Sequence, residues 1–120
     1  MKGHHKLEVW KRSINMVTEI YKITEKFPKN ELYGLSQQMR RCAVSIPSNI
    51  AEGAARNTSK EFVQFLSVSQ GSAAELETQL IIAKKSWIYT DIDNSLNELD
   101  EISKMLLGLI KVLKNKEFSK

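Results

Sequence analysis

Through four long stretches of this sequence, apolar side chains recur three and four residues apart, and only two prolines, Pro28 and Pro47, interrupt the pattern. That period puts apolar groups on one face of an α-helix, whereas a half-buried strand would alternate every second residue. With 5 glycines and 2 prolines in 120 residues there are too few turn formers for an all-β fold of this length. Hydrophobic residues make up 42% of the chain and charged residues 27%, ordinary globular usage that excludes disordered and filamentous compositions. A single domain over residues 1–120 is expected, large enough to hold a core without disulfides or metals.

The first expected helix covers about residues 7–27. Leu7, Trp10, Ile14, Val17, Tyr21 and Thr24 form one line along it, and Met16, Ile20, Ile23 and Phe27 a second, together a wide apolar face. Pro28 ends it, because the residue before proline avoids α geometry. The second helix, 31–54, turns Leu35, Met39, Cys42, Ala43, Ile46 and Ile50 inward. Pro47 removes a donor from its middle and crowds the carbonyl of Ala43, so a kinked helix is expected. The alternative is a full break, but Ile46 would cap a restarted helix poorly. Gly53 suits a C-terminal stop. The third helix, 59–87, opens on the capping-box pattern Thr58-Ser59-Lys60-Glu61 and continues through Phe62, Phe65, Leu66, Ser69, Ala73, Leu76, Leu80 and Ala83. Gly71 in its middle reads either as a close helix approach or as drift. The fourth, 91–115, starts behind Thr90 with Asp91 and Asp93 near its N-terminus. Leu96, Leu99, Ile102, Leu106, Leu109, Ile110 and Leu113 give its apolar face, and Lys111, Lys114 and Lys116 suit its C-terminal dipole. Short connections make neighbouring helices antiparallel, so the expected fold is an all-α, up-down-up-down antiparallel four-helix bundle.

The net charge of +4 is unevenly spread. Residues 1–60 carry 11 basic and 5 acidic side chains, residues 61–120 carry 7 and 9. A basic half attracts phosphate backbones, meets the acidic half of a neighbouring subunit, or is plain solvated surface. Lys11, Arg12, Lys22, Lys26, Lys29 and Arg40 are the candidate nucleic-acid contacts, with Arg41 and Arg56 beside them, although no named DNA- or RNA-binding motif accompanies these residues. Cys42 is the only cysteine, so no disulfide forms within the chain, which fits a reducing cytoplasm. The N-terminus has no apolar signal core, and apolar runs such as Leu80-Ile81-Ile82-Ala83 fall far short of the ~20 residues of a membrane span. A cytoplasmic protein with no membrane partner is expected.

Enzyme readings find little to work with. A di-metal carboxylate bundle needs Glu-x-x-His pairs facing inward. The two histidines, His4 and His5, precede the helices and suggest a loose terminus, and Glu75 and Glu77, two apart, diverge on a helix. Arg40 and Arg41 precede Cys42, and cations lower a thiol pKa, but Cys42 falls on the apolar line with no helix-borne histidine as partner. It reads as a small buried hydrophobe. The isolated glycines form no phosphate loop or dinucleotide fingerprint. No catalytic residue, metal ligand, cofactor or small-molecule substrate is expected.

The least ordinary feature lies on the second helix. Gln38, Arg41, Ser45, Asn49, Glu52 and Arg56 follow at three- and four-residue steps and form a polar stripe beside the apolar face. A merely solvated face is usually richer in Lys and Glu. Gln, Ser and Asn both donate and accept hydrogen bonds, which suits a seam against another helix or subunit. Glu75 and Gln79, four apart on the third helix, can complement it. The alternative is a flank that happens to be polar.

Ordered short elements then carry a family resemblance. Leu7-x-Val9-Trp10-Lys11, Phe27-Pro28 and Gly34-Leu35-x-x-Gln38-x-Arg40-Arg41 lead to Ser45-Ile46-Pro47-Ser48-Asn49-Ile50-Ala51-Glu52-Gly53-x-x-Arg56, the most specific of them. Glu61-Phe62-x-x-Phe65-Leu66, Gly71-Ser72 and Glu75-Leu76-Glu77-x-Gln79-Leu80 follow. Together they resemble the four-helix bundle proteins first noticed as reading frames inside intervening sequences of bacterial 23S ribosomal RNA genes. Cys42 stands where that pattern leads one to expect Ala, a small change. The resemblance implies an up-down bundle assembling as a ring-like homopentamer, with no enzyme activity and no catalytic residues to carry over. The sequence is also similar to the accessory variability determinant of diversity-generating retroelements, a basic pentameric barrel that engages a reverse transcriptase and nucleic acid. On this reading Gln38, Arg41, Ser45, Asn49, Glu52 and Arg56 make structural or inter-subunit polar contacts, and Pro47 is the kink.

Overall fold

In the computed structural model the described residues are 3–31, 34–86 and 92–118. They form four α-helices and no strand: α1 (Glu8–Glu25), α2 (Leu35–Ala54), α3 (Ser59–Ser86) and α4 (Ile92–Phe118), with short 3-10 turns at Gly3–Lys6 and Lys29–Glu31. The expected start of the second helix at residue 31 therefore falls in a 3-10 turn, and α2 begins four residues later, behind Gly34. α2 then continues through Pro47 to Ala54, so the full break does not occur. The expected N-terminal signals at Thr90 and Asp91 lie outside the described residues.

Contacts between consecutive helices run in opposite order along the two partners. Thr24 meets Arg40, Ser45 meets Ser72 and Ile46 meets Ser69, and Lys84 meets Asp93 while the earlier Gln70 meets the later Ser103. That is antiparallel register at each step. Arg12 on α1 reaches Glu98 on α4 and closes the four helices around one core. The result is an elongated body of 52 × 22 × 21 Å, and α3 alone, at 1.5 Å rise per residue, accounts for about 42 Å of that length.

The core is a continuous apolar column. Met16, Ile20 and Ile23 enter from α1, Met39, Ala43, Ile46 and Ile50 from α2, Leu66, Ala73, Leu76 and Leu80 from α3, and Leu99, Ile102 and Leu106 from α4, all essentially buried. The two lines expected on α1 are not equivalent. The core takes Val9, Ser13, Met16, Ile20, Ile23 and Phe27, whereas of the first line only Thr24 is buried, Leu7, Trp10 and Val17 are half-buried, and Ile14 and Tyr21 are exposed. One helix can turn only one stripe inward, and the second stripe is left along the α1–α2 boundary. Ser13 sits in the core line because its hydroxyl donates to the Trp10 carbonyl at 2.8 Å, which satisfies it locally.

The glycines also separate. Gly53 is not a left-handed helix stop, since no glycine has positive φ among the described residues. Instead a Cβ there would lie 2.8 Å from both Phe62 Cδ1 and Phe65 Cβ, so the last turn of α2 abuts the first turns of α3 through a missing side chain. Gly71 has nothing within 4 Å of its Cβ position, so no close approach within the chain explains it. At the start of α3 the backbone amide of Glu61 donates to Thr58 Oγ1 at 3.1 Å, and the Thr58 hydroxyl donates to the Glu61 carboxylate rather than the carboxylate reaching the Thr58 amide.

Candidate functional site

The polar stripe of α2 runs along its boundary with α3. Ser45 Oγ and Ser72 Oγ lie 2.8 Å apart across that boundary. Asn49 Nδ2 donates to the Ser45 carbonyl at 2.8 Å and to Ser45 Oγ at 3.0 Å, one turn back on the same helix. Beneath them Ser69 Oγ donates to the Ile46 carbonyl at 2.9 Å in a buried contact. These short side chains let α2 and α3 approach closely, and each hydroxyl finds a partner at that distance. Ser69 and Ser72 are members that the stripe alone did not reveal; serines on a helix's inward side facing a serine-bearing neighbour are the available signal.

The other stripe residues divide. Glu52 and Arg56 pair with each other at 3.2 Å, and the Arg56 guanidinium stands 4.7 Å over the Phe65 ring, which ties the end of α2 to α3. Gln38 and Arg41 are exposed, and their side chains have no partner among the described residues. Glu75 accepts a hydrogen bond from the Cys42 thiol at 3.5 Å. Gln79 is half-buried, and its Oε1 has no hydrogen-bond partner. So Ser45 and Asn49 are brought into one intrachain network, Glu75 joins Cys42 beside it, and Gln38 and Arg41 stay outside.

Cys42 itself is half-buried rather than part of the core. Burial pushes its thiol above the ordinary range, and the Glu75 carboxylate adds to that shift, against a smaller opposing pull from Gln79. Neither preceding arginine activates it: Arg40 is engaged with α1 and Arg41 is exposed. A thiol held neutral is a weak nucleophile. Among the described residues no three His, Cys, Asp or Glu side chains gather closely enough to hold a metal ion. His4 packs edge-on against Trp10, ring centroids 5.0 Å apart, which anchors the turn expected to be loose.

Of the candidate nucleic-acid cations, Arg12 and Arg40 are engaged by partners within the chain. Arg12 is bound to Glu98 by two hydrogen bonds and also points Nη1 at Met105 Sδ, so its charge is committed to the α1–α4 interface. Arg40 donates from Nε to Thr24 Oγ1 at 2.8 Å and stands 4.5 Å over the Tyr21 ring. Lys11 is exposed near the start of α1. Lys22, Lys26 and Lys29 are exposed toward the other end of that helix, with Lys22 in a 3.4 Å surface pair with Glu19.

The described residues thus define an all-α four-helix bundle whose polar groups lie along its helix faces. The family model for the 23S rRNA-intervening sequence protein matches residues 5–108, and the chain belongs to that family. A crystal structure of a protein of unknown function from the S23 ribosomal protein family of Bacteroides thetaiotaomicron superimposes with a TM-score of 0.79 at 24% identity, covering 86% of this chain and 95% of that one. At that identity the likeness speaks to the fold alone. No curated protein matches the sequence.

Proposed function

We propose that this chain is a non-enzymatic scaffold that works as a homo-oligomer, five copies as the sequence resemblance implies, and that its basic half serves nucleic acid or a nucleic-acid enzyme. The observation that carries self-association is a groove of about 340 Å³ between α1 and α2, lined mainly by Trp10, Ile14, Val17, Val44, Pro47 and Ala51. Ile14 at 38% and Val44 at 41% exposure stand at its edge. Scattered apolar residues on a surface need no explanation, but a contiguous apolar groove is the mark of an interaction site. A second apolar pair, Val68 and Ile82, is exposed on α3, flanking the segment that carries Ser72, Glu75 and Gln79. An apolar groove on one face and a different, mostly polar face carrying Val68 and Ile82 suit a head-to-tail contact, which makes a ring when its rotation closes. The basic first half and acidic second half favour the same head-to-tail pairing.

Light scattering tests this directly. A mass near five chains is expected, and Ile14→Glu with Val44→Glu should reduce it to single chains that keep their helical circular dichroism. A single-chain mass for the parent protein at micromolar concentration overturns the proposal. Nucleic-acid association is tested by titrating labelled RNA and DNA across salt, where affinity should fall as salt rises. Absence of binding at low salt would leave a protein–protein module with no nucleic-acid role.

A further inference from the structure

A hollow of about 320 Å³ opens where α1 gives way to α2, lined by Thr24, Glu25, Phe27, Lys29, Ser36 and Arg40 among others. Three features of its wall have the same chemical sign. First, α2 starts here without a side-chain cap and without an acidic residue in its first turn. The Gln38 amide donates back to the Gly34 carbonyl at 3.1 Å, which closes the first turn. The positive end of a 20-residue helix, left without a capping side chain or an acidic residue, attracts an anion. Second, Ser36 is 1% exposed, and its hydroxyl has no hydrogen-bond partner among the described residues. A buried hydroxyl left unpaired is rare enough to call for a reason. Third, Arg40 is held by Thr24 Oγ1 and by the Tyr21 carbonyl, through Nε and Nη2, so its Nη1 remains unused among the described residues and is fixed in place. Lys29 adds a second positive charge, and Glu25 is the opposing carboxylate.

We propose that this hollow is a binding site for a phosphate group. Its unused groups are donors: a guanidinium edge, an ammonium, and a hydroxyl that can turn to donate, beside the positive end of α2. An acceptor-only, multiply charged ligand satisfies all of them, and donors on several sides of one space suit a tetrahedral oxyanion better than a planar carboxylate. The site consists of residues of one chain, so it stands apart from assembly. The phosphate can come from a free ion or from a nucleic-acid backbone, and the two sources separate by experiment.

The test is calorimetric titration of the full chain with inorganic phosphate, and separately with a short single-stranded RNA, at ionic strength held constant with chloride. Saturable phosphate binding is expected. Arg40→Gln should weaken it about tenfold, the worth of one charge-assisted hydrogen bond. Ser36→Ala should weaken it about fivefold by loss of one neutral donor while leaving the ligand-free melting temperature equal or higher, a combination that a purely structural serine would not produce. Lys29→Ser, on an exposed turn, should weaken binding without touching the fold. RNA binding that falls with the same substitutions assigns the phosphate to a nucleic-acid backbone; phosphate binding with no RNA response assigns it to a free ion. Failure of the parent chain to bind phosphate at tens of millimolar, or unchanged affinity in both Ser36→Ala and Arg40→Gln, overturns the site. A chain that is monomeric by light scattering yet binds phosphate keeps this site and loses the assembly.

Discussion

Arg12 on α1 grips Glu98 on α4 with two parallel hydrogen bonds, Nε to Oε2 at 2.9 Å and Nη2 to Oε1. The fork geometry matches a carboxylate and holds the two outer helices in register. Both side chains are about one-third exposed, so solvent screening keeps the pair in the range of surface ion pairs. A double-mutant cycle with Arg12→Ala and Glu98→Ala in urea should give a coupling of about 0.5–1 kcal/mol, decreasing with salt. Because the guanidinium is already committed, Arg12→Ala should leave the affinity for any nucleic acid unchanged. A marked loss of RNA binding in that variant would show that Arg12 exchanges partners.

The contrast between Gly53 and Gly71 makes a sharp pair of substitutions. Replacing either with alanine in a helix gains about 1 kcal/mol of intrinsic propensity. At Gly53 the new methyl would sit 2.8 Å from Phe65 Cβ, an atom tied to the α3 backbone, and 3.2 Å from the Phe62 carbonyl. Helix separation must increase, and Gly53→Ala should destabilise by about 1–3 kcal/mol. Gly71→Ala meets open space and should stabilise the isolated chain by about 0.5–1 kcal/mol. Urea midpoints at matched m-values read both, and equal effects at the two sites would contradict the packing described.

The residues that were legible in advance and those that were not differ in the kind of information they need. Met16, Ile20, Leu76 and Leu106 follow a helical period, and a period is enough to place them in a core. Trp10, Ile14 and Tyr21 follow the same period, yet they stay at or near the surface, because the choice between two apolar stripes on α1 depends on where α2 and α4 sit. Arg12 and Arg40 looked like free cations, since the Glu98 and Tyr21 that engage them are distant in sequence. Gly53 looked like a helix stop from its place near the end of α2, and its close contact with Phe62 and Phe65 exists only after the chain has turned back. Ser36 carried no signal at all: a serine near a helix start is ordinary until its burial and its missing partner are known.

Cys42 offers a pH-dependent readout. Its folded-state thiol is raised by burial first and by Glu75 second. The fold therefore holds the proton more tightly than the unfolded chain does. The stability this contributes is fully present below the unfolded thiol's pKa and is lost as pH rises through the folded one's. Alkylation of Cys42 at neutral pH should be slower in the folded chain than in urea, with the folded rate rising only at higher pH. Cys42→Ala should flatten the alkaline decline in stability. A folded-state rate equal to the unfolded one would mean that the thiol is neither shielded nor held neutral.

Asn49 and Arg41 lie on one stripe yet should respond differently to substitution. Asn49 spends its amide protons on Ser45, whose hydroxyl in turn meets Ser72, so its bonds belong to the chain that carries it. Asn49→Ala should lower chain stability by about 1 kcal/mol, and Ser72→Ala should show non-additive behaviour with it, because the two act through the same Ser45 hydroxyl. Arg41 is exposed and without a partner among the described residues, so Arg41→Ala should leave the urea midpoint within about 0.5 kcal/mol of the parent. Its effect should appear in assembly instead: if this face meets a neighbouring copy, Arg41→Glu shifts the light-scattering mass downward at a concentration where Asn49→Ala does not. Unchanged mass in Arg41→Glu would move the inter-subunit contact away from the α2–α3 face and leave the α1–α2 groove as the surface to test.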